Sequence, residues 1–355
     1  MSKSFDLNRR DRVLKALNHE QPDRTPTDFQ AVKEIWNGMK KNFRTDSMKD
    51  ILDELDIDCA WVDPEVTRPN VERDSEGYII GWGGSKIRMV ANRYGEYEEI
   101  VRYVLDGVES KEDVDERLRL PDLNEWDFSK VTENCRLYDD RYLLGGFASA
   151  FYYPSLIMSL EEFMVNMVVN PELIHYIIKK CFDWHIDYHE RMLKAGHGRI
   201  DAMQIADDFA TQRGLLLSKE HFREFFKAPI AEYVALAKSY GATPFLHCCG
   251  SSHDLIDEFI ELGIKILDPI QTVAADMEPE RLKKEFGNDI TFHGGGETQN
   301  ILPNGTEEEV KANAKMLSSV LGKDGGYILT SCHFLQADVP LKNVLAFYDI
   351  ENRFV

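Results

Sequence analysis

Residues 243–250 read TPFLHCCG. A short apolar run, Pro244 to Leu246, ends in a histidine and two adjacent cysteines, and a glycine follows at once. A run this short, apolar without alternation, reads as a strand buried on both faces, as in a parallel sheet. Seven other stretches have a similar β-rich form: RTPTDF (24–29), DCAWVD (58–63), RYLLGGFA (141–148), DAMQIADD (201–208), IKILDPIQ (264–271), ITFHGGG (290–296) and GYILTSCH (326–333). Helical patterns separate them. HDLIDEFIEL ends at Gly263, EPERLKKEF ends at Gly287, and Thr306 with Glu309 predicts a capping box for EEEVKANAKMLSSVL. The segment 171–196 is a long amphipathic helix opened by Pro171 and closed by glycine.

Strand and helix in alternation predict βα units. Eight of them predict an α/β fold, a (β/α)8 TIM barrel, forming a single domain over residues 1–355. Residues 71–106 break the alternation. Their Gly- and Asn-bearing turns predict a β-hairpin excursion after the second strand.

Composition narrows the function classes. Forty-two basic against 62 acidic residues give a formal charge of −20, which argues against nucleic acid as a partner. No run of about 18 apolar residues predicts a membrane span. The opening MSKSFDLNRRDRVLKALNHEQ has no apolar core and no small-residue cleavage site, so the cytoplasm is the expected compartment. Six cysteines, at 59, 135, 181, 248, 249 and 332, make no disulfide framework. In a reducing compartment a cluster among them points to metal or to chemistry.

A barrel of this kind carries its active site at the C-terminal strand ends. There the sequence gathers Asp28, Asp63, Asp207-Asp208, His247-Cys248-Cys249, Asp268, Glu297 and Cys332-His333. Residues two apart on a strand face the same way, so His247 and Cys249 share a face and Cys248 points into the core. Cys332 lies at the end of the last strand, and barrel closure can carry it toward them. Three such ligands with an open fourth position suit catalytic zinc, the alternative being buried free thiols. Asp207 and Asp208 are candidates for orienting a ligand imidazole or for acid–base work, against helix capping. Glu297 is a candidate acid or fourth ligand, and His333 a rival ligand or proton donor. His293 is either core or support for a ligand. Phe147, Phe151, Tyr152, Tyr153, Phe209 and Phe334 would suit an aromatic substrate or serve as packing.

At these residues the chain resembles the uroporphyrinogen decarboxylase superfamily. The resemblance runs from NRRDRVLKALNHEQPDRTPTDF through DDFATQRGLLLSKEHFREFFKAP, FLHCCGSSHDLIDEFIELGIKILDPIQ and HGGGETQNILPNGTEEEV to GGYILTSCHFLQADVPLKNVLAFYD. It implies a (β/α)8 barrel. The decarboxylase itself carries an arginine-rich substrate motif of the form MRQAGRYLPEYR, and here that region reads QAVKEIWNGMKKNF. His247-x-Cys249 with the distant Cys332 is instead similar to the zinc motif of the cobamide-dependent methyltransferases. That branch implies His247, Cys249 and Cys332 as zinc ligands. It also implies a corrinoid (cobalamin) carried by a partner protein and a methylated small molecule, such as a methoxylated aromatic, as methyl donor. The alternatives within the resemblance are a methylcobamide:thiol methyltransferase and a metal-free decarboxylase. Family members often form homodimers.

Overall fold

The computed structural model describes residues 7–67, 72–92 and 95–354. Seven parallel strands follow one another around a curled sheet in chain order: β1 (Cys59–Trp61), β2 (Tyr142–Ala148), β3 (Ala202–Ala206), β4 (Thr243–His247), β5 (Ile266–Ile270), β6 (Thr291–Gly296) and β7 (Tyr327–Ser331). Each lies within a stretch expected from the sequence. Their residues are buried almost without exception, which is why the runs are continuously apolar.

The expected first strand, RTPTDF, is present as a closing segment and not as a regular strand. Leu329 N–H donates to Pro26 O (2.8 Å) and Asp28 N–H to Leu329 O (3.1 Å) on one side. On the other side Cys59 N–H donates to Thr27 O (3.1 Å). The segment therefore fills the place between β7 and β1. Pro26 has no N–H to contribute, so the ladder there reduces to isolated bridges. Side chains complete the join. Asp58 accepts from Thr27 N–H (2.9 Å), from Arg12 Nη1 (2.6 Å) and from Arg24 Nη1 (2.6 Å), all three groups being buried.

One end of the barrel is plugged. Cys59, Tyr142, Ala202 and Ile266 each begin a strand and pack with Phe245, Ile328 and Val13 in one buried cluster. Val13 comes from the first helix, Arg9–Leu17, which crosses this N-terminal end. The open end is left for chemistry. The long helix Pro171–Gly196 packs on β2, burying Leu173, Ile174, Ile177, Ile178 and Cys181 at three- and four-residue spacing. The chain leaves it through His197, in the left-handed region, where the sequence pointed to the glycine before it. The capping box of Thr306 with Glu309 opens the helix Glu307–Leu321 as expected.

The excursion after β1 forms a three-stranded antiparallel sheet of Ile79–Ile80, Lys86–Asn92 and Gly95–Arg102. Its turn end reaches across to Glu34 and to Gln336–Asp338 beyond β7, with which Gly95 and Tyr97 line a shared groove. No described helix is long and apolar enough to cross a membrane.

Candidate functional site

TPFLHCCG is strand β4 arriving at the open end of the barrel. His247 is its last residue and pairs in register with Asp268 of β5. Cys248 N–H continues the ladder to Asp268 O (2.6 Å), and its side chain is fully buried in the core. Cys249 turns back toward the histidine, with Sγ 3.2 Å from His247 Nε2. Gly250 follows because the chain must turn there at φ +88°. A Cβ at that position would sit 2.6 Å from Thr211 O.

A carboxylate joins this pair from β3. Asp208 Oδ1 accepts from Cys249 N–H (2.8 Å) and lies 3.7 Å from His247 Nε2. Asp208, His247 and Cys249 thus present one ligand atom each, all within 4.8 Å of one another. Tetrahedral zinc, with bonds of about 2.0–2.3 Å to nitrogen and sulfur, would hold those two atoms about 3.5 Å apart. The observed 3.2 Å is close to that spacing. Imidazole, thiol and carboxylate are donors that zinc accepts. The residues present fit the metal. Asp208 is the most open member, its side chain 48% exposed against 19% for His247, so it is the one a substrate can replace.

The imidazole is oriented from behind. Asp268 Oδ2 lies 2.6 Å from His247 Nδ1, which fixes the proton on Nδ1 and turns Nε2 toward Cys249 and Asp208. Asp268 also reaches His293 Nδ1 with Oδ1 (2.5 Å) and accepts from Gln204 Nε2 (3.1 Å). His293 Nε2 meets Asp28 Oδ2 at 3.2 Å, and Trp61 Nε1 donates to the same oxygen at 3.1 Å. A line of polar contacts therefore crosses the barrel mouth from Cys249 to Trp61. The ladder from β5 to β6 slips between Leu267 and Ile270, where Pro269 has no N–H to pair.

Burial and charge compete along this line. Burial opposes charge on His247, but Asp268 and the Cys249 sulfur outweigh it and hold the imidazole well above its ordinary value. Burial likewise opposes charge on His293, and Asp268 and Asp28 lift it to about 9. Burial would raise Asp268, yet the two histidines hold it well below the usual carboxylate range. Burial pushes the Cys249 thiol up to about 11, with His247 pulling the other way. A cation at the site is what would make that sulfur a thiolate.

The other expected site residues lie elsewhere. Asp207, just past the end of β3, is fully buried and has different partners from Asp208. It accepts from Ala150 N–H (2.8 Å), Phe151 N–H (2.7 Å), Tyr152 N–H (3.0 Å) and the Ser149 hydroxyl. Burial pushes its carboxyl up to about 6, against donors that favour the ionised form. Its geometry is that of a clamp on the loop after β2. Glu297 is equally occupied, accepting from the N–H groups of Gln299 (2.6 Å), Asn300 (2.9 Å) and Ile301 (2.6 Å).

Cys332 is buried at the end of β7, its Sγ 3.2 Å from Thr298 Oγ1, and burial pushes its thiol up. It lies outside the 4.8 Å group. His333 is exposed, and its ring stands 3.4 Å from Gln336 Nε2. Among the aromatics, Phe151 and Phe209 are core residues stacked on each other (5.8 Å), so they are packing. Phe147, Tyr152 and Phe334 are exposed. Asp268 is the functional residue that reading strand ends undervalued. Its signal was a carboxylate inside the otherwise apolar run IKILDPIQ.

Comparison with known proteins agrees with this architecture. A relative from Methanosarcina mazei, "Methylated-thiol--coenzyme M methyltransferase", is 28% identical over 178 residues, half of this chain. The match spans 44% of that relative's own length. A solved structure described as a methyltransferase from Methanosarcina mazei superposes with a TM-score of 0.66 at 19% identity, covering 96% of this chain and 97% of that one. It shares the fold. Residues 84–354, about three quarters of the chain, match the family described as uroporphyrinogen decarboxylase (URO-D). The chain belongs to that family.

Proposed function

We propose that the chain is a zinc-dependent methyltransferase that takes methyl from a methylated small molecule and passes it to the cobalt of a corrinoid protein. The observation that carries this reading is the Asp208–His247–Cys249 group at the open end of the barrel, with Asp268 orienting the imidazole. Zinc bound there would act as a Lewis acid, withdrawing charge from the atom that gives up methyl. This is the help that an ether oxygen or an amine, both poor leaving groups, requires.

The chain's own residues have distinct parts. His247 Nε2 and Cys249 Sγ would hold the metal, and Asp268, keeping a proton on Nδ1, leaves Nε2 as the nitrogen that would give up its proton to the metal. Cys332 would serve as a second thiolate on turning away from Thr298. Asp208 would hold the metal position that substrate takes over. Asp207 and Glu297 shape the surrounding loops and touch no reacting atom.

A methoxylated aromatic is the donor that this reading favours. The methylcobamide:thiol reaction is the second reading, and the name of the Methanosarcina mazei relative speaks for it. An assay with reduced corrinoid protein and a panel of methoxylated aromatics, methylamines and thiols, following the cobalt spectrum, separates them. Methylation of cobalt by an aromatic ether supports the first reading. Loss of methyl from methylcobalt on adding a thiol, with no response to any methoxylated donor, supports the second. No cobalt response in either direction refutes both.

A further inference from the structure

A second cavity at the same end of the barrel has a different chemistry. It holds about 150 Å³ and lies between the ends of β1 and β2 and the helix Pro171–Gly196. Its walls are aromatic: Trp82, Trp126, Trp184, Tyr153 and Tyr188. The rings brace one another. Trp82 lies 4.7 Å from Tyr153 and 6.0 Å from Trp184, and Trp184 stacks on Tyr188 at 5.3 Å. Trp126 closes on both Trp184 (5.5 Å) and Tyr188 (5.6 Å).

Asp63, two residues past β1, opens into this cavity. Oδ1 accepts from Gly146 N–H at 2.9 Å. Among the described residues, no lysine, arginine or histidine lies within ion-pair distance of it. Its side chain is exposed at the mouth of the cavity, where a carboxylate with no cation beside it is a ready counter-charge for one. His185 adds a second, independent sign. It is 1% exposed, lines the cavity, and neither ring nitrogen has a partner. Trp82 Nε1, buried at the same wall, also lacks one. Buried polar atoms left without partners mark a place where a ligand or water completes the bonding.

We propose that this cavity binds a small N-methylated ammonium cation bearing an oxygen, with Asp63 as its counter-charge and the tryptophan faces around its methyl groups. The π-faces of tryptophan attract such cations, and methyl groups leave no N–H unsatisfied against them. The ligand's oxygen meets Trp82 Nε1–H and the imidazole of His185. The size agrees, since a cavity of about 150 Å³ takes a single benzene ring, and a choline-sized ion is comparable. A net charge of −20 draws cations toward the molecule. The proposal goes beyond methyl transfer and does not depend on zinc at His247.

The test is binding to the full-length protein, read by tryptophan fluorescence, since three of its five tryptophans line the cavity. The probes are choline and its uncharged carbon isostere, 3,3-dimethylbutan-1-ol. Choline is expected to shift the emission saturably, and the isostere to bind at least about tenfold more weakly. Asp63→Asn should bring choline down toward the isostere, leaving the isostere unchanged. Equal affinity for the two probes overturns the proposal, as does absence of saturable choline binding or an unaltered choline affinity in Asp63→Asn. If Asp63→Asn does not fold, the pair of probes on the wild-type chain decides the matter. Because the readout is binding, its failure leaves the zinc reading untouched.

Discussion

Replacing Asp268 by asparagine keeps the shape of the side chain and removes its charge. In the wild-type chain this carboxylate gives Oδ2 to His247 (2.6 Å) and Oδ1 to His293 (2.5 Å). An amide has one acceptor oxygen, so one histidine must face an NH2 group. If that histidine is His247, the imidazole moves its proton to Nε2 or turns, and either loses the lone pair aimed at the metal. Carboxylates behind a ligand histidine affect metal affinity by about 10–100-fold. That range corresponds to about 1.4–2.7 kcal/mol. The assay is competition for zinc between the folded protein and a chromogenic chelator, with circular dichroism to confirm that the variant folds. Asp268→Asn should bind zinc within that weaker range, while Cys249→Ala, which deletes a ligand, should lose more. A folded Asp268→Asn chain with wild-type zinc affinity would refute the orienting role.

Other expectations concern the frame around the site. Asp58→Ala leaves the buried Arg12 and Arg24 guanidiniums short of a partner and should cost about 3–5 kcal/mol in urea unfolding. Burial alone would raise the Asp58 carboxyl, but Arg24 and Arg12 hold it below its ordinary value of 3.8. Its contribution to stability is therefore complete above pH 3.8 and disappears as pH falls through the lower folded value, which acid titration of stability checks. Gly250→Ala places a Cβ 2.6 Å from Thr211 O at φ +88° and should lower both thermal stability and zinc content, because Cys249 must shift with it. Glu297→Gln should cost about 1 kcal/mol of stability, as the loss of a capping carboxylate does. It should leave zinc content at the wild-type level, and a zinc-free Glu297→Gln chain would return Glu297 to the list of ligands.

The barrel was legible because its strands are buried on both faces. Runs such as YLLGG and TPFLH carry no polar alternation to confuse them with surface strands. The closing segment was harder, since Pro26 cuts the ladder and only hydrogen bonds to Leu329 and Cys59 reveal its place. At the site, the two-residue period put His247 and Cys249 together. The same alternation, applied to Asp207 and Asp208, separates a loop clamp from a member of the metal group, but the sequence does not say which faces inward. Whether Cys332 meets Cys249 depends on side-chain direction across two intervening strands, and no local pattern encodes that. Asp268 was visible as a residue and hidden as a role, because its two histidines come from β4 and β6 on either side.

The proposed function stands on zinc held by His247 and Cys249. Elemental analysis of the purified full-length protein, beside its Cys249→Ala variant, tests it most directly. One zinc per chain is expected in the wild type and almost none in a folded Cys249→Ala chain. A zinc-free wild-type chain that still transfers methyl, or a Cys249→Ala chain that keeps its zinc, would contradict it.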